Sequence, residues 1–256
     1  MKICILSSGS KGNSSIIITN KTKLLIDAGK DISYIEDSLK ELNISIKDLD
    51  GILITHEHDD HIKGLKKIVQ KYDPLLYVDS KLYEILSKSI KDFRYILYDD
   101  NFTINELKID SLKMSHDSTI CNAFIIKENK KELVYITDTG YINRKYFDIT
   151  SNKDMYVIES NHDEEMLENG PYPYFLRQRV ISDRGHLSNM QASKYLKKVI
   201  GDKTKNIIFI HRSEKNNTSD LVLETFKKYN DYDKNIILSN QNEPTKVIEV
   251  WLKLYV

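Results

Sequence analysis

The stretch THEHDDHI at 55–62 follows directly on the apolar run GILI at 51–54. Three histidines and three acids in eight positions, joined to a segment that reads as a fully buried strand, make the end of that strand a chemical site. With the strand ending at Thr55, the loop beyond it turns His56 and His58 inward, and Asp60 and His61 begin the next helix. That arrangement suits two adjacent metal ions. Imidazole together with carboxylate fits zinc, manganese or iron, whereas calcium takes more oxygens and closed structural zinc sites commonly use cysteine.

The chain around this strand has 256 residues, 40% apolar and 30% charged. That is enough to bury a substantial core, and it suggests a single domain over 1–256, built as one large unit or two intimate halves. Lys+Arg and Asp+Glu both number 38, so the whole-molecule field points to neither nucleic acid nor a membrane surface, and any polyanion site must be local. No apolar stretch reaches about 18 residues, and the start, MKICILSSGSKGN, turns polar too soon for a secretory signal. The chain therefore reads as cytoplasmic, with no membrane partner. Cys4 and Cys121 lie on apolar, strand-like runs far apart and read as buried thiols.

Alternation and turn residues predict strands at Ile3–Ser7, Ser15–Thr19 and Leu24–Asp27, with the turn SSGSKGN between the first two. Helical spacing runs from Ile32 to Leu42, and Gly51–Thr55 is the buried strand. A helix is expected at His61–Lys71, then a strand at Leu75–Val78 and a helix near Lys81–Ser89. Strands dominate from Phe93 to Asp138. Beyond them, strands at Met155–Glu159 and Asn206–His211 alternate with helices at Asn189–Ile200 and Ser219–Tyr229. LLIDAG followed by GILITHEH is echoed by VYITDTG followed by MYVIESNH, as a duplication of two αβ halves would produce.

The pattern HxHxDH at a strand end resembles the signature of the metallo-β-lactamase superfamily. The other marks of that signature follow in order: His116 in KMSHDS, Asp138 in VYITDTG and His211 in IIFIHRS. The resemblance spans nearly the whole chain and implies an α/β (α+β) fold, a four-layer αβ/βα sandwich with an internal pseudo-two-fold and the site at one edge. It implies two divalent metal ions per chain, zinc or manganese ahead of iron. By this resemblance His56, His58 and His116 hold one ion, Asp60, His61 and His211 the other, and Asp138 bridges them. Such paired ions sit about 3.5 to 4 Å apart and share a bridging hydroxide, the nucleophile, available near neutral pH. Asp60 is expected both to bind metal and to orient that hydroxide.

The same centre cleaves lactams, thioesters, lactones and phosphodiesters, so it does not by itself name a substrate. Many true zinc β-lactamases carry cysteine where this chain has Asp138, and flavodiiron enzymes carry glutamate where it has His58. SSGSKGN at 7–13, ESNHD at 159–163, GPYPYFLRQRVISDRGHLSN at 170–189 and HRSEKNN at 211–217 together resemble the YycJ/WalJ-like subfamily, which is linked to DNA exonuclease activity. Arg212 departs from that pattern, where a small or apolar residue is common.

Phosphate chemistry also has support from the residues themselves. Arg177, Arg179 and Arg184 bring guanidiniums together as candidate substrate-binding residues, and His186 stands just before a helix expected to begin near Ser188 or Asn189. Helix N-terminal amides and arginines both favour an anion. His186 is the candidate that protonates the leaving oxygen or grips the phosphate. His162 reads as a pocket-shaping or structural residue. The expected function is thus a dinuclear metal-dependent hydrolase, a phosphodiesterase acting on DNA ends. A small-molecule hydrolase, either a cyclic phosphodiesterase or a glyoxalase-type thioesterase, is the alternative within the fold. A non-catalytic, metal-stabilised regulatory protein is the alternative outside catalysis.

Overall fold

The computed structural model describes residues 1–231 and 233–250. The chain opens with β1 (Lys2–Ser7), β2 (Ser14–Ile18), β3 (Lys23–Ile26), α1 (Ile32–Glu41), β4 (Gly51–Leu53), α2 (Asp59–Ile62) and α3 (Leu65–Tyr72). It continues through β5 (Leu76–Val78), α4 (Ser80–Ser89), β6 (Tyr95–Leu97), β7 (Asn101–Ile104), β8 (Leu107–Lys113), β9 (Asn122–Glu128) and β10 (Lys131–Ile136). The remainder is α5 (Phe147–Thr150), β11 (Met155–Glu159), α6 (Glu164–Asn169), α7 (Tyr174–Ile181), α8 (Asn189–Val199), β12 (Asn206–Ile210), α9 (Ser219–Tyr229), β13 (Asn235–Leu238) and β14 (Ile248–Glu249).

These strands form two mixed seven-stranded sheets, ordered β14-β1-β2-β3-β4-β5-β6 and β13-β12-β11-β10-β9-β8-β7. In the first, β1, β2 and β3 pair antiparallel, and β4, β5 and β6 then add in parallel. The second repeats the scheme: β9 and β10 pair antiparallel, and β11, β12 and β13 add in parallel. The sequence echo falls on corresponding strands, β3–β4 and β10–β11. The contacts divide the chain into two compact units, Met1–Ser111 with 118–120 and Asn240–Glu249, and Leu112–Asp117 with Cys121–Ser239.

Each unit has its own core. In the first, Cys4 and Leu6 of β1, Leu25 of β3, Ile52 of β4 and Val78 of β5 pack against Ile35 and Leu39 of α1, Ile68 of α3 and Leu82 and Leu86 of α4. The strand residues alternate, as a pleated sheet with helices on one face requires; Ile3 and Ile5 of β1, on the other face, are also buried. In the second, Val134, Ile136, Ile158 and Phe209 meet Leu196 of α8 and Val222 and Phe226 of α9. Burying one such side chain contributes about 1.5 to 3 kcal/mol. Among the described residues no helix is long and apolar enough to cross a membrane.

The expected helix at His61–Lys71 is interrupted. The Gly64 amide donates to the carbonyl of Ala28 at 2.8 Å, which ends α2 and restarts the chain as α3. The buried run beginning at Gly51 keeps strand geometry only to Leu53, because the next residues already form the polar loop. The segment 164–181 carries two helices, α6 and α7, that periodicity does not announce. Tyr174, Phe175 and Ile181 of α7 are exposed, so the helix has no continuous apolar stripe to read.

The second core also holds a polar device. Tyr156 is fully buried, and its hydroxyl donates to the carbonyls of Thr150 (2.7 Å) and Val199 (2.9 Å). Burial pushes its pKa up to about 12 from an ordinary 10. A raised pKa means that its contribution to stability is complete below pH 10 and is lost as pH rises through 12. About two pH units correspond to about 2 to 3 kcal/mol. Urea titrations across that range should show this loss in the wild type and a shallower one in Tyr156→Phe; identical slopes would remove Tyr156 from the account.

Candidate metal centre

In the first unit, the ligand-bearing loop leaves β4 at the carboxyl end of a parallel strand, where open α/β sheets place their sites. Thr55, His56 and His61 are buried, and His58 is the N-cap residue of α2. Asp27, at the end of β3, is fully buried with φ of 61°. It accepts from the Thr55 amide and hydroxyl, both at 2.8 Å, and from Nδ1 of His61 at 2.7 Å. Burial pushes the Asp27 carboxyl up, and its partners His61 and Thr55 act against that rise.

Because Nδ1 of His61 donates to a carboxylate, Nε2 presents its lone pair, which accepts from the Asn13 side-chain amide at 3.0 Å and lies 3.5 Å from Oδ2 of Asp60. The His56 ring packs 4.1 Å from that of His61 and 4.8 Å from that of His58. Asn13, from the Gly/Ser turn, holds the start of α2. Its amide donates to the Asp60 carbonyl at 2.7 Å and its side chain to Asp60 Oδ2 at 3.1 Å. A Cβ on Gly29 would lie 1.8 Å from that same Asp60 carbonyl oxygen, so only glycine allows the approach.

In the second unit, Asp138 follows β10, Glu159 ends β11 and His211 follows β12, again at the carboxyl ends of parallel strands. Donor atoms of Asp138, Glu159, His186 and His211 all lie within 4.8 Å of one another. His211 has φ of 53°, and it alone among the described non-glycine residues with positive φ is neither Asp nor Asn. Such backbone strain persists where surroundings over-determine it. Its Nδ1 lies 3.0 Å from Asp138 Oδ1 and 2.8 Å from Glu159 Oε1.

Glu159 organises this cluster. Oε1 also accepts from Nδ1 of His186 at 2.6 Å, while Oε2 accepts from the amides of Thr139 and Leu187, each at 3.1 Å. Full burial acts to raise its pKa, but the charge and hydrogen bonds of His186 and the bond from His211 outweigh it. The carboxyl falls to about 2. His186 itself stays partly open to solvent, its side chain 17% exposed. His116 donates through Nδ1 to the carbonyl of Gly185 at 3.0 Å, so its Nε2 lone pair faces Asp138 Oδ2 at 3.7 Å and Asp117 Oδ1 at 3.4 Å. Burial lowers the His116 pKa, against the pull of Asp138.

These pairings test whether metal fits. In the second unit the buried Nε2 lone pair of His116 faces carboxylate oxygens at 3.4 and 3.7 Å, an acceptor opposite an acceptor, which a cation between them relieves. The opposite ring nitrogen is anchored by a carbonyl, a usual support for a ligating histidine. Imidazole and carboxylate without cysteine match zinc, manganese or iron.

The arginines divide. Arg184 donates to the His116 carbonyl at 3.2 Å and Arg179 pairs with Asp117, so both brace the 116–117 loop. Arg177 instead caps the carbonyl of Glu168. His162 is buried, its pKa lowered to about 4 by burial, and its Nδ1 has no hydrogen-bond partner among the described residues. The helix after His186 begins at Asn189, with Ser188 and Gln191 forming a capping box.

The order of these loops along the chain agrees with a known pattern. The model of the beta-lactamase superfamily domain matches residues 22–211. The chain belongs to the beta-lactamase superfamily. Within that superfamily, it is 38% identical over 231 residues to the protein named exodeoxyribonuclease WalJ of Streptococcus pneumoniae serotype 2, spanning 86% of this chain and 84% of the relative. It is 37% identical over 222 residues to exodeoxyribonuclease YycJ of Bacillus anthracis, with 85% and 84% covered. The metallo-beta-lactamase fold protein YhfI of Bacillus subtilis superposes with a TM-score of 0.74 at 16% identity, over 95% of this chain and 98% of that one. The fold is therefore that of the superfamily.

Sequence reading misses Asp27, Asn13 and Glu159 as parts of this superfamily site. The first two lay in stretches already singled out, LLIDAG and SSGSKGN. Glu159 occupies the position in the second half that Thr55 holds in the first, and that correspondence was the signal available.

Proposed function

We propose that the chain is a metal-dependent exodeoxyribonuclease, a phosphodiesterase that removes nucleotides from DNA ends. The observation that carries this reading is the buried His116 imidazole turned lone pair first toward the Asp138 carboxylate, in a chain so similar over most of its length to proteins named exodeoxyribonucleases. In this reading His56, His58, Asp60, His61, His116, Asp138 and His211 are the ligands proposed for two divalent ions, zinc or manganese. When bound, the ions polarise the phosphoryl group and make hydroxide available near neutral pH.

The chain's own residues do the rest. Asp60, its carboxylate held by Asn13, orients the attacking water. Glu159 accepts from Nδ1 of His186, so the form that delivers a proton to the leaving oxygen is the imidazolium, which gives up its Nε2 proton and keeps the Nδ1–H bond to Glu159. Such proton transfer is typically worth about two to four orders of magnitude. Digestion of end-labelled duplex DNA by metal-loaded protein, with a chromogenic phosphodiester alongside, tests the reading. Stepwise shortening that falls by at least about a hundredfold in His186→Ala is expected. Inert DNA with turnover of the small diester would move the assignment to a small-molecule phosphodiesterase.

A further inference from the structure

A concave feature of the Leu112–Asp117 and Cys121–Ser239 unit adjoins the Glu159 cluster through Leu187. Segment 141–147 and α8 enclose an open groove of about 550 Å³, a size typical of ligand clefts. Phe147 and Tyr195 pack edge to face at 5.3 Å within it, and Tyr141 stands at its rim, 42% exposed. Arg144, Lys194 and Lys198 line it and are exposed, with Lys194 also over the ring of Tyr229. Among the described residues no acid lines the groove, and neither α8 nor residues 140–147 contain one. A chain of zero net charge thus concentrates three cations on one aromatic-floored cleft.

The groove is joined to the cluster by two short links. Leu187, which lines it, follows His186 and donates its amide to Glu159. Tyr141 lies three residues beyond Asp138, and its carbonyl accepts from the Thr139 hydroxyl, while the Thr139 amide donates to the other face of the site at Glu159 Oε2. Through Leu187 and Tyr141 the groove thus adjoins the cluster. Lys194 and Lys198 are four residues apart on α8 and so share a helix face, which sets two cations in a row along the cleft. Cations spaced along a cleft with exposed aromatic rings are the means by which proteins hold single-stranded nucleic acid without reading its sequence.

We propose that this groove seats the single-stranded segment of a nucleic-acid substrate adjoining the phosphodiester to be cut, with Arg144, Lys194 and Lys198 on phosphates and Tyr141 stacked on a base. This deepens the nuclease reading and rests on it. The test measures binding apart from cleavage: fluorescence anisotropy of a labelled, phosphorothioate-linked oligothymidine with the metal-loaded protein across a salt series. In the triple variant Arg144→Gln, Lys194→Gln, Lys198→Gln, the log–log salt slope should fall by about 2, three contacts at about 0.7 each, with binding about tenfold weaker. Tyr141→Ala should weaken binding roughly fivefold or more. Turnover of bis(p-nitrophenyl) phosphate should stay within about twofold in both variants, because the small diester does not reach the groove.

An unchanged affinity and slope in the triple variant overturns the proposal, and so does a parallel fall in small-diester turnover. If the wild type digests DNA while the triple variant binds and cuts it as well, the groove assignment fails and the nuclease reading stands. If the wild type neither binds nor cuts DNA, both fail.

Discussion

Asp138→Ala is expected to lower turnover of any substrate by on the order of a thousandfold or more, with a loss of bound metal read by elemental analysis of the purified protein. The carboxylate is buried, accepts from the Thr137 hydroxyl at 2.6 Å, lies 3.0 Å from Nδ1 of His211, and turns its other oxygen toward His116. It is the one acid that both histidines of this unit's proposed ligand set face. Stabilising transition-state charge through metal is worth several kcal/mol, and each 1.36 kcal/mol is tenfold in rate. Asp138→Asn keeps the shape and one oxygen but places an amide N–H toward an imidazole, so it should recover structure without recovering rate. Wild-type activity and metal content in Asp138→Ala would show that the bridge lies elsewhere.

The second large effect is expected at Glu159, which no strand periodicity singles out. A glutamine there cannot satisfy its surroundings. One carboxylate oxygen takes two histidine N–H groups and the other takes two backbone amides, so an amide NH2 on either side meets donors. Losing an outer partner of ligating histidines typically costs about ten- to a hundredfold in metal affinity or activity. Removing one member of a buried charge pair costs about 3 to 5 kcal/mol of stability. A merely structural role would not move the pH dependence. With the wild-type pKa depressed to about 2 from 4.5, the stabilisation from the carboxylate is complete above pH 4.5 and is lost as pH falls toward 2. Chemical denaturation of metal-free protein between these values should therefore be steeper in pH for the wild type than for Glu159→Gln. Equal pH dependence would mean that the histidines do not hold this carboxylate ionised.

Much of the architecture was legible because strand and helix patterns were strong. Asp138 and His211 stand where strands end, as the HxHxDH loop does, and β3–β4 with β10–β11 confirm that the echoed segments occupy matching places in their sheets. What stayed hidden has physical reasons. Helix α7 exposes its aromatic residues and so has no apolar stripe. The break at Gly64 depends on a carbonyl from residue 28. Glu159 and Asp27 look like ordinary strand-end acids, and only the fold shows that their oxygens meet histidines far along the chain. The three arginines formed one cluster in sequence, but they serve separate contacts, two at the 116–117 loop and one at Glu168.

The most direct test of the central claim compares linear and covalently closed circular DNA of the same sequence, incubated with protein stripped of metal and then reloaded with manganese or zinc. The account predicts release of nucleotides from the linear form alone, absent from the stripped protein and restored by the ion. Equal cleavage of the closed circle, or digestion that persists without metal, would contradict it.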